Sequence, residues 1–152
     1  DALYAKGKDL DVRPGCPNLI ERIEGGLLSY GNDMNMNDTP LECGLDSFVS
    51  FNNEINYLGK SVLQKQKEKG ITRSLVGLKL QINEISLVKS LPVFYKDELI
   101  GDLRSACFSP QFQCCLGIAM IDVSHHNFKE PLNLIINEQE ITTEITSIPF
   151  IK

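Results

Sequence analysis

The chain contains no tryptophan, only two histidines, and no apolar run near the roughly 18 residues that a membrane-crossing helix needs. The histidines stand side by side, His125-His126, in the hydrophilic run "SHHNFKEP". That run reads as an exposed loop between strands, and nothing near it supplies the third and fourth ligands of a metal site. The five cysteines, Cys16, Cys43, Cys107, Cys114 and Cys115, are odd in number and include no C-x-x-C pair. A disulfide scaffold would call for an even count and a zinc site for ligand spacing, so both are excluded. Reduced thiols in a cytoplasm are expected, with Cys114 and Cys115 on opposite sides of one strand. Basic residues are also short: 15 Lys and Arg face 20 Asp and Glu, a net charge of −5. The densest basic run, "KSVLQKQKEKG", is the solvated face of a helix. A nucleic-acid partner, which needs clustered cations, is therefore not expected. No stretch reads as a signal peptide, and no P-loop, dinucleotide fingerprint or zinc-hydrolase motif is present. Ser105 and Ser109 lack a neighbouring base, so nucleophilic catalysis has no support in the local sequence.

What remains is an ordinary globular composition, 42% apolar and 23% charged. A chain of 152 residues buries roughly 70% of its extended surface. Residues 1–13 resemble the end of an amphipathic helix, broken at Arg13-Pro14-Gly15. Pro17 and Asn18 open a second helix whose apolar face is Leu19, Ile20, Ile23, Leu27 and Leu28. Gly25-Gly26 is out of place within it, since each glycine costs about 1 kcal/mol against alanine. Close packing against that backbone is the expected reason. "GNDMNMNDTPLECG" is polar loop, and "DSFVSF" (46–51) is a candidate strand. "LGKSVLQKQKEKG" is helical with Gly70 as its C-cap.

From Ile71 the pattern changes to short alternating runs: "SLVGLKLQI", "LPVFY", "ELIGDLRSACFS", "QCCLGIAMIDV", "PLNLII" and "ITTEITSIPFI". Turn residues separate them, as in an antiparallel barrel or sandwich, and "YKDEL" is a hairpin turn. The boundary is placed at 70–73, where the helical period gives way to alternation.

"RIEGGLLSYGND" (22–33) resembles a segment of the glycine-cleavage T-protein family, the folate-dependent aminomethyltransferases, which has Arg-Leu-Glu-Ala-Gly followed by Tyr-Gly-x-Asp. "LECGLDSFVSF", "NYLGKSVLQKQKEKG", "RSLVGLKL", "IGDLRSACFSP", "LGIAMIDV" and "ITSIPFI" follow in the family's order. The set covers nearly the whole chain but only the last two-fifths or so of a family member. The resemblance implies an α+β fold, the C-terminal part of a three-domain cloverleaf: a helix-containing segment followed by an antiparallel β-barrel. Residues 1–70 would complete the folate-binding core and residues 71–152 would form the barrel domain. The missing N-terminal domains of the same protein would be its partners. The family's acidic residues that act on the transferred group would lie there, leaving no catalytic residue in this chain. An apolar patch from Leu19 to Leu28 is expected where those domains would pack.

Within the family, "GCPNLIERIEGGLLSYGND" (15–33) is most similar to the branch that moves a methyl group from a sulfonium, dimethylsulfoniopropionate, to tetrahydrofolate. Asn18 stands where aminomethyltransferases carry a folate-contacting arginine, and Leu27 replaces an aromatic. Phe51 matches their folate-facing tryptophan. The cofactor-binding residues implied are Asn18, Arg22, Tyr30, Phe51 and Arg104, the last on a strand and turn facing the cleft over the folate. Methyl transfer from a positive sulfur releases a neutral thioether, so the protein must mainly align donor and acceptor, which supplies on the order of 7–11 kcal/mol. Tyr30, Phe48 and Phe51 are candidate aromatic faces for a sulfonium, with Phe48 expected in the core. Other readings are a glycine-cleavage aminomethyltransferase acting with a lipoyl carrier protein, or a non-catalytic folate-binding or RNA-modification accessory protein.

Overall fold

The alternating runs after Ile71 become six strands: β1 (Arg73–Leu80), β2 (Leu91–Tyr95), β3 (Glu98–Ser109), β4 (Cys114–Asp122), β5 (Leu132–Ile136) and β6 (Gln139–Thr146). The computed structural model describes residues 2–11, 18–52, 54–125, 130–136 and 139–151. All the strand pairings are antiparallel, and the strands close into a barrel in the order β1-β4-β3-β2-β5-β6. Closure gives every strand a neighbour on both sides, which limits the exposed edge that invites aggregation. The interior is filled by Val76, Leu78, Leu80, Val93, Leu103, Ala119, Ile121, Leu132 and Leu134. Each large side chain buried there contributes about 1.5–3 kcal/mol of transfer free energy. Lys96, with φ 55°, and Asp97 turn the chain between β2 and β3, as "YKDEL" predicts. Cys115 points into the barrel and Cys114 packs in the outer core, so the vicinal pair does straddle one strand.

Among the described residues three α-helices lie upstream: α1 (Ala2–Gly7), α2 (Leu19–Glu24) and α3 (Lys60–Lys69). The fold is therefore α+β, with these α-helices in the first half. Among the described residues no helix is long and apolar enough to cross a membrane. The helix break at Arg13–Gly15, with Pro17, Cys16 and His126, lies outside the described residues. Gly70 ends α3 at φ 88°, the C-cap role assigned to it.

Two expectations need correction. The second helix does not extend to Leu28. Gly26 adopts φ 63°, donating its N–H to the Ile23 carbonyl while Leu27 N–H reaches the Arg22 carbonyl. These two bonds form a Schellman motif that ends α2 at Glu24. The close approach expected at the glycine pair is real, but its partner is the C-terminal segment. A Cβ on Gly26 would stand 3.1 Å from the Pro149 Cα. The second correction concerns 46–51, which is not a strand. Asp46–Phe48 is a 3₁₀ turn, closed by Phe48 N–H to the Leu45 carbonyl and Val49 N–H to the Asp46 carbonyl. Local backbone bonds win there because no neighbouring strand offers pairing to the run "FVSF".

A second core joins the two halves on the barrel's outer face. Ile23, Leu75, Cys107, Leu116, Ile118 and Met120 are buried, with Ile20, Leu28, Met34, Leu45, Ile148 and Phe150 packed around them. After β6 the chain returns to α2, where the Glu24 carbonyl accepts from Phe150 N–H (2.9 Å) and Ile151 N–H (3.2 Å). The Phe150 ring lies over Gly77, where a Cβ would be 2.8 Å from its edge.

Candidate functional site

The turn after α2 carries Tyr30 and is pinned to the barrel by buried charge. The Asp33 side chain is fully buried and accepts from Arg22 Nη1 of α2 at 2.5 Å and from the Ser29 N–H at 2.7 Å. The Ser105 hydroxyl of β3 donates to its other oxygen. Arg104, also on β3, donates to the Asp33 carbonyl at 2.8 Å, to both Asp38 oxygens, and to Asp102 at 3.0 Å. Arg73 of β1 pairs with Asp38 (3.4 Å) and Glu42 (3.2 Å). The result is a continuous chain of charges, Arg22–Asp33–Arg104–Asp38–Arg73–Glu42, in which the Asp33–Arg104 link runs through the backbone carbonyl. It fastens residues 29–42 to α2, β3 and β1.

Burial would raise the Asp38 carboxyl, but it is outweighed by the Arg104 hydrogen bond, the Asn35 N–H and the charges of Arg104 and Arg73, so the pKa is held below its ordinary 3.8. The thiols respond the other way. Burial first, and nearby carboxylates second, push Cys43 up to about 11, and burial with Glu24 does the same to Cys107. Glu24 itself is buried and accepts from the Ser109 hydroxyl at 2.5 Å.

The residues singled out in the sequence fall in different settings. Asn18 caps α2 in a capping box, its Oδ1 taking the Glu21 N–H at 2.9 Å while Glu21 takes the Asn18 N–H at 3.1 Å. Arg22 is mostly buried and paired with Asp33. Arg104 is 8% exposed, so it is not an ordinary surface strand residue, and its donors are engaged within the chain. Tyr30 is 64% exposed and bridges Met34 across the turn. Phe51 lies beneath the Lys67 ammonium, 4.1 Å from the ring centroid. Arg22, Tyr30 and Arg104 are thus brought together through Asp33, whereas Phe51 belongs to a separate hollow.

Phe48 overturns its expected role. It is 85% exposed and lines a hollow of about 590 Å³ with Gly26, Leu27, Leu28, Met34 and Leu45. Its 3₁₀ turn divides two spaces. On the other side Asp46 and Ser47 face a hollow of about 640 Å³ that contains Phe51, Gln66 and Lys67. Leu19 and Leu27 are 52% and 53% exposed, so part of the apolar surface expected between Leu19 and Leu28 is open, while Ile23 is fully buried. The sequence assigns no role to Asp33, Asp38 or Glu42, and it places Glu24 with Glu21 and Arg22 as surface or capping charges, whereas Glu24 is buried against the Ser109 hydroxyl. Only Asp33 carried a signal, as the acid of Tyr-Gly-x-Asp. Among the described residues no group of His, Cys, Asp and Glu is arranged to hold a metal.

A closed antiparallel barrel with a short helix and a charge-pinned loop on its outer face defines the class: a barrel domain carrying a lid of upstream chain. Residues 73–152 match the family described as the glycine cleavage T-protein C-terminal barrel domain. The chain belongs to the glycine cleavage T-protein family. It is similar to the dimethylsulfoniopropionate demethylase of Ruegeria pomeroyi, 42% identical over 125 residues, covering 82% of this chain and 34% of that protein. It is similar also to an aminomethyltransferase of Listeria welshimeri, 36% identical over 131 residues, with 86% and 36% covered. The crystal structure of glycine cleavage system aminomethyltransferase T from Bartonella henselae shares the fold, with a TM-score of 0.79 at 24% identity over 88% of this chain and 37% of that one. The chain therefore spans about a third of the length of the relatives it matches.

Proposed function

We propose that this chain is the barrel-bearing part of a cytoplasmic, tetrahydrofolate-dependent methyltransferase that demethylates a sulfonium. The substrate would be dimethylsulfoniopropionate and the products methylmercaptopropionate and 5-methyltetrahydrofolate. The observation that carries the reading is the 42% identity with the demethylase, against 36% with the Listeria welshimeri aminomethyltransferase. Asn18 and Leu27, which stand where the resemblance leads one to expect an arginine and an aromatic, favour the same branch.

The residues present suit a flat ring with polar edges. Phe48 is an exposed aromatic face lining an apolar hollow, Tyr30 is exposed on the turn whose Met34 lines the same hollow, and such rings stack on other rings and attract a cation. Phe51 offers a second face at the Lys67 hollow. Asn18 caps the start of α2, and Arg22 reaches the Tyr30 turn through Asp33. Arg104, with its donors engaged, would serve the cofactor through the loop that it holds. When bound, tetrahydrofolate would supply the methyl acceptor, its N5 taking the methyl while the C–S electron pair stays on sulfur as a neutral thioether and the N5 proton passes to solvent. The division at residues 70–73 would separate the folate-binding segment from the barrel, and the rest of the protein would supply the groups that orient the donor. The 152-residue chain alone would then be inactive.

The second reading, an aminomethyltransferase, is favoured by the aminomethyltransferases that align over 86% of the chain. Assaying the full-length protein with tetrahydrofolate and either the sulfonium or an aminomethyl-lipoyl donor separates the two. Turnover of the sulfonium alone is expected, and turnover of the aminomethyl donor alone would defeat the demethylase reading.

A further inference from the structure

We infer that Asp33 is a positioning residue for Tyr30, acting through the peptide that precedes the tyrosine. The inference rests on the reading that Tyr30 faces the folate. The Asp33 carboxylate is the point where three parts of the fold meet: Arg22 of α2, the Ser29 N–H of the turn, and the Ser105 hydroxyl of β3. Ser29 immediately precedes Tyr30, so its amide fixes where the tyrosine backbone enters the turn. The turn then closes on itself. Asp33 N–H reaches the Ser29 carbonyl at 2.9 Å, and Gly31 N–H reaches the Met34 carbonyl at 2.7 Å. Arg104 holds the far side by donating to the Asp33 carbonyl.

The Asp33 carboxylate at the base of the turn is thus fully buried and charge-paired, while the ring that the turn carries is 64% exposed. A packed aromatic would not need this arrangement, because its own contacts would fix it. An exposed ring has no such contacts, and only the backbone beneath it sets its direction. A fixed base under a free ring is what pre-organisation of a binding contact requires. Asparagine at 33 would keep the volume but replace an acceptor oxygen with a donor. The amide keeps its oxygen on Arg22 and Ser29 and turns its NH2 to the Ser105 oxygen, so what it removes is the charge opposite the Arg22 guanidinium.

The test is tetrahydrofolate binding by calorimetry to the full-length protein, in a cycle of Tyr30→Ala, Asp33→Asn and the double variant. Asp33→Asn is expected to weaken binding about tenfold, which is about 1.4 kcal/mol. That loss should vanish in the Tyr30→Ala background, because both changes remove the same contact. Equal losses in the two backgrounds would make Asp33 a general brace and overturn the inference, as would a Tyr30→Ala variant that binds normally. Should Asp33→Asn fail to fold, Ser105→Ala removes one donor to the same carboxylate and is expected to show the same non-additivity at smaller size. A wild-type protein that does not bind tetrahydrofolate overturns the functional reading together with this inference. Binding by the wild type with additive losses overturns this inference alone.

Discussion

The guanidinium of Arg104 grips the carboxylate of Asp38 with two hydrogen bonds, 2.7 and 3.2 Å long, across 66 positions of sequence. Their side chains are 8% and 1% exposed. A pair so buried has lost its hydration, and each charge is tolerated only because the other is present. The bond therefore fixes where the loop lies more than it adds net stability.

Arg104→Met should show this directly. Leaving Asp38 buried without its main partner is expected to cost about 3–5 kcal/mol in urea unfolding. Adding Asp38→Leu, so that neither charge remains, should recover most of the loss. A single substitution within about 0.5 kcal/mol of wild type, the range of ordinary surface changes, would show that the pair carries no such constraint.

Acid should release the same loop. Because the folded-state pKa of Asp38 lies below its ordinary 3.8, the stability it lends is present above that value and is lost as pH falls through the lower folded value. Hydrogen exchange of residues 33–42 followed from pH 5 downward, where the unfolded carboxyl begins to take protons, should accelerate before the barrel strands do. Asp38→Asn should flatten that dependence.

The thiols should make the opposite end of the pH range costly. Cys43, Cys107 and Cys115 are pushed up to about 11 from an ordinary 9.0, chiefly by burial. A raised folded pKa gives stability that is intact below 9.0 and lost as pH climbs toward 11, because the unfolded thiols ionise first. Alkylation at pH 8, mapped by peptide mass spectrometry, should leave these three unlabelled in the native protein and label them in urea. Rapid native labelling of Cys107 would contradict its burial in the outer core.

Phe48→Ser separates binding from folding. The ring is 85% exposed, so the unfolding midpoint should stay within about 0.5 kcal/mol of wild type. Tetrahydrofolate affinity of the full-length protein should fall several-fold, the scale of one aromatic contact. A large loss of stability with unchanged affinity would return Phe48 to the packing role that its sequence suggests.

Much of the barrel was readable because alternation is local. "LPVFY" states that Leu91, Val93 and Tyr95 face inward, and Lys96-Asp97 marks the turn that follows. In "ELIGDLRSACFS", by contrast, a register shift between Leu103 and Ser105 takes the inward positions off strict alternation. Gly70 announced the end of α3 just as locally, since a positive-φ C-cap depends on one residue. The run "DSFVSF" misled because β-branched and aromatic residues specify a strand only where a partner strand exists. Asp38 and Arg104 could not have been paired from sequence, since nothing between them records that β3 will pass beneath the loop. Phe48 resembled core because apolar character alone does not say whether a hollow or a neighbour lies in front of it.

The return of the chain from β6 to α2 also has a consequence for biosynthesis. The Glu24 carbonyl and the space beside Gly26 are completed by residues 149–151, which leave the ribosome long after residues 24–26. Until then the second core stays unfinished, and Leu28 and Met34 are left to nascent-chain chaperones. The helix translated early is completed by a tail translated late, so premature termination within β6 would leave the Glu24 carbonyl and the Gly26 backbone uncovered even though most of the barrel had been made.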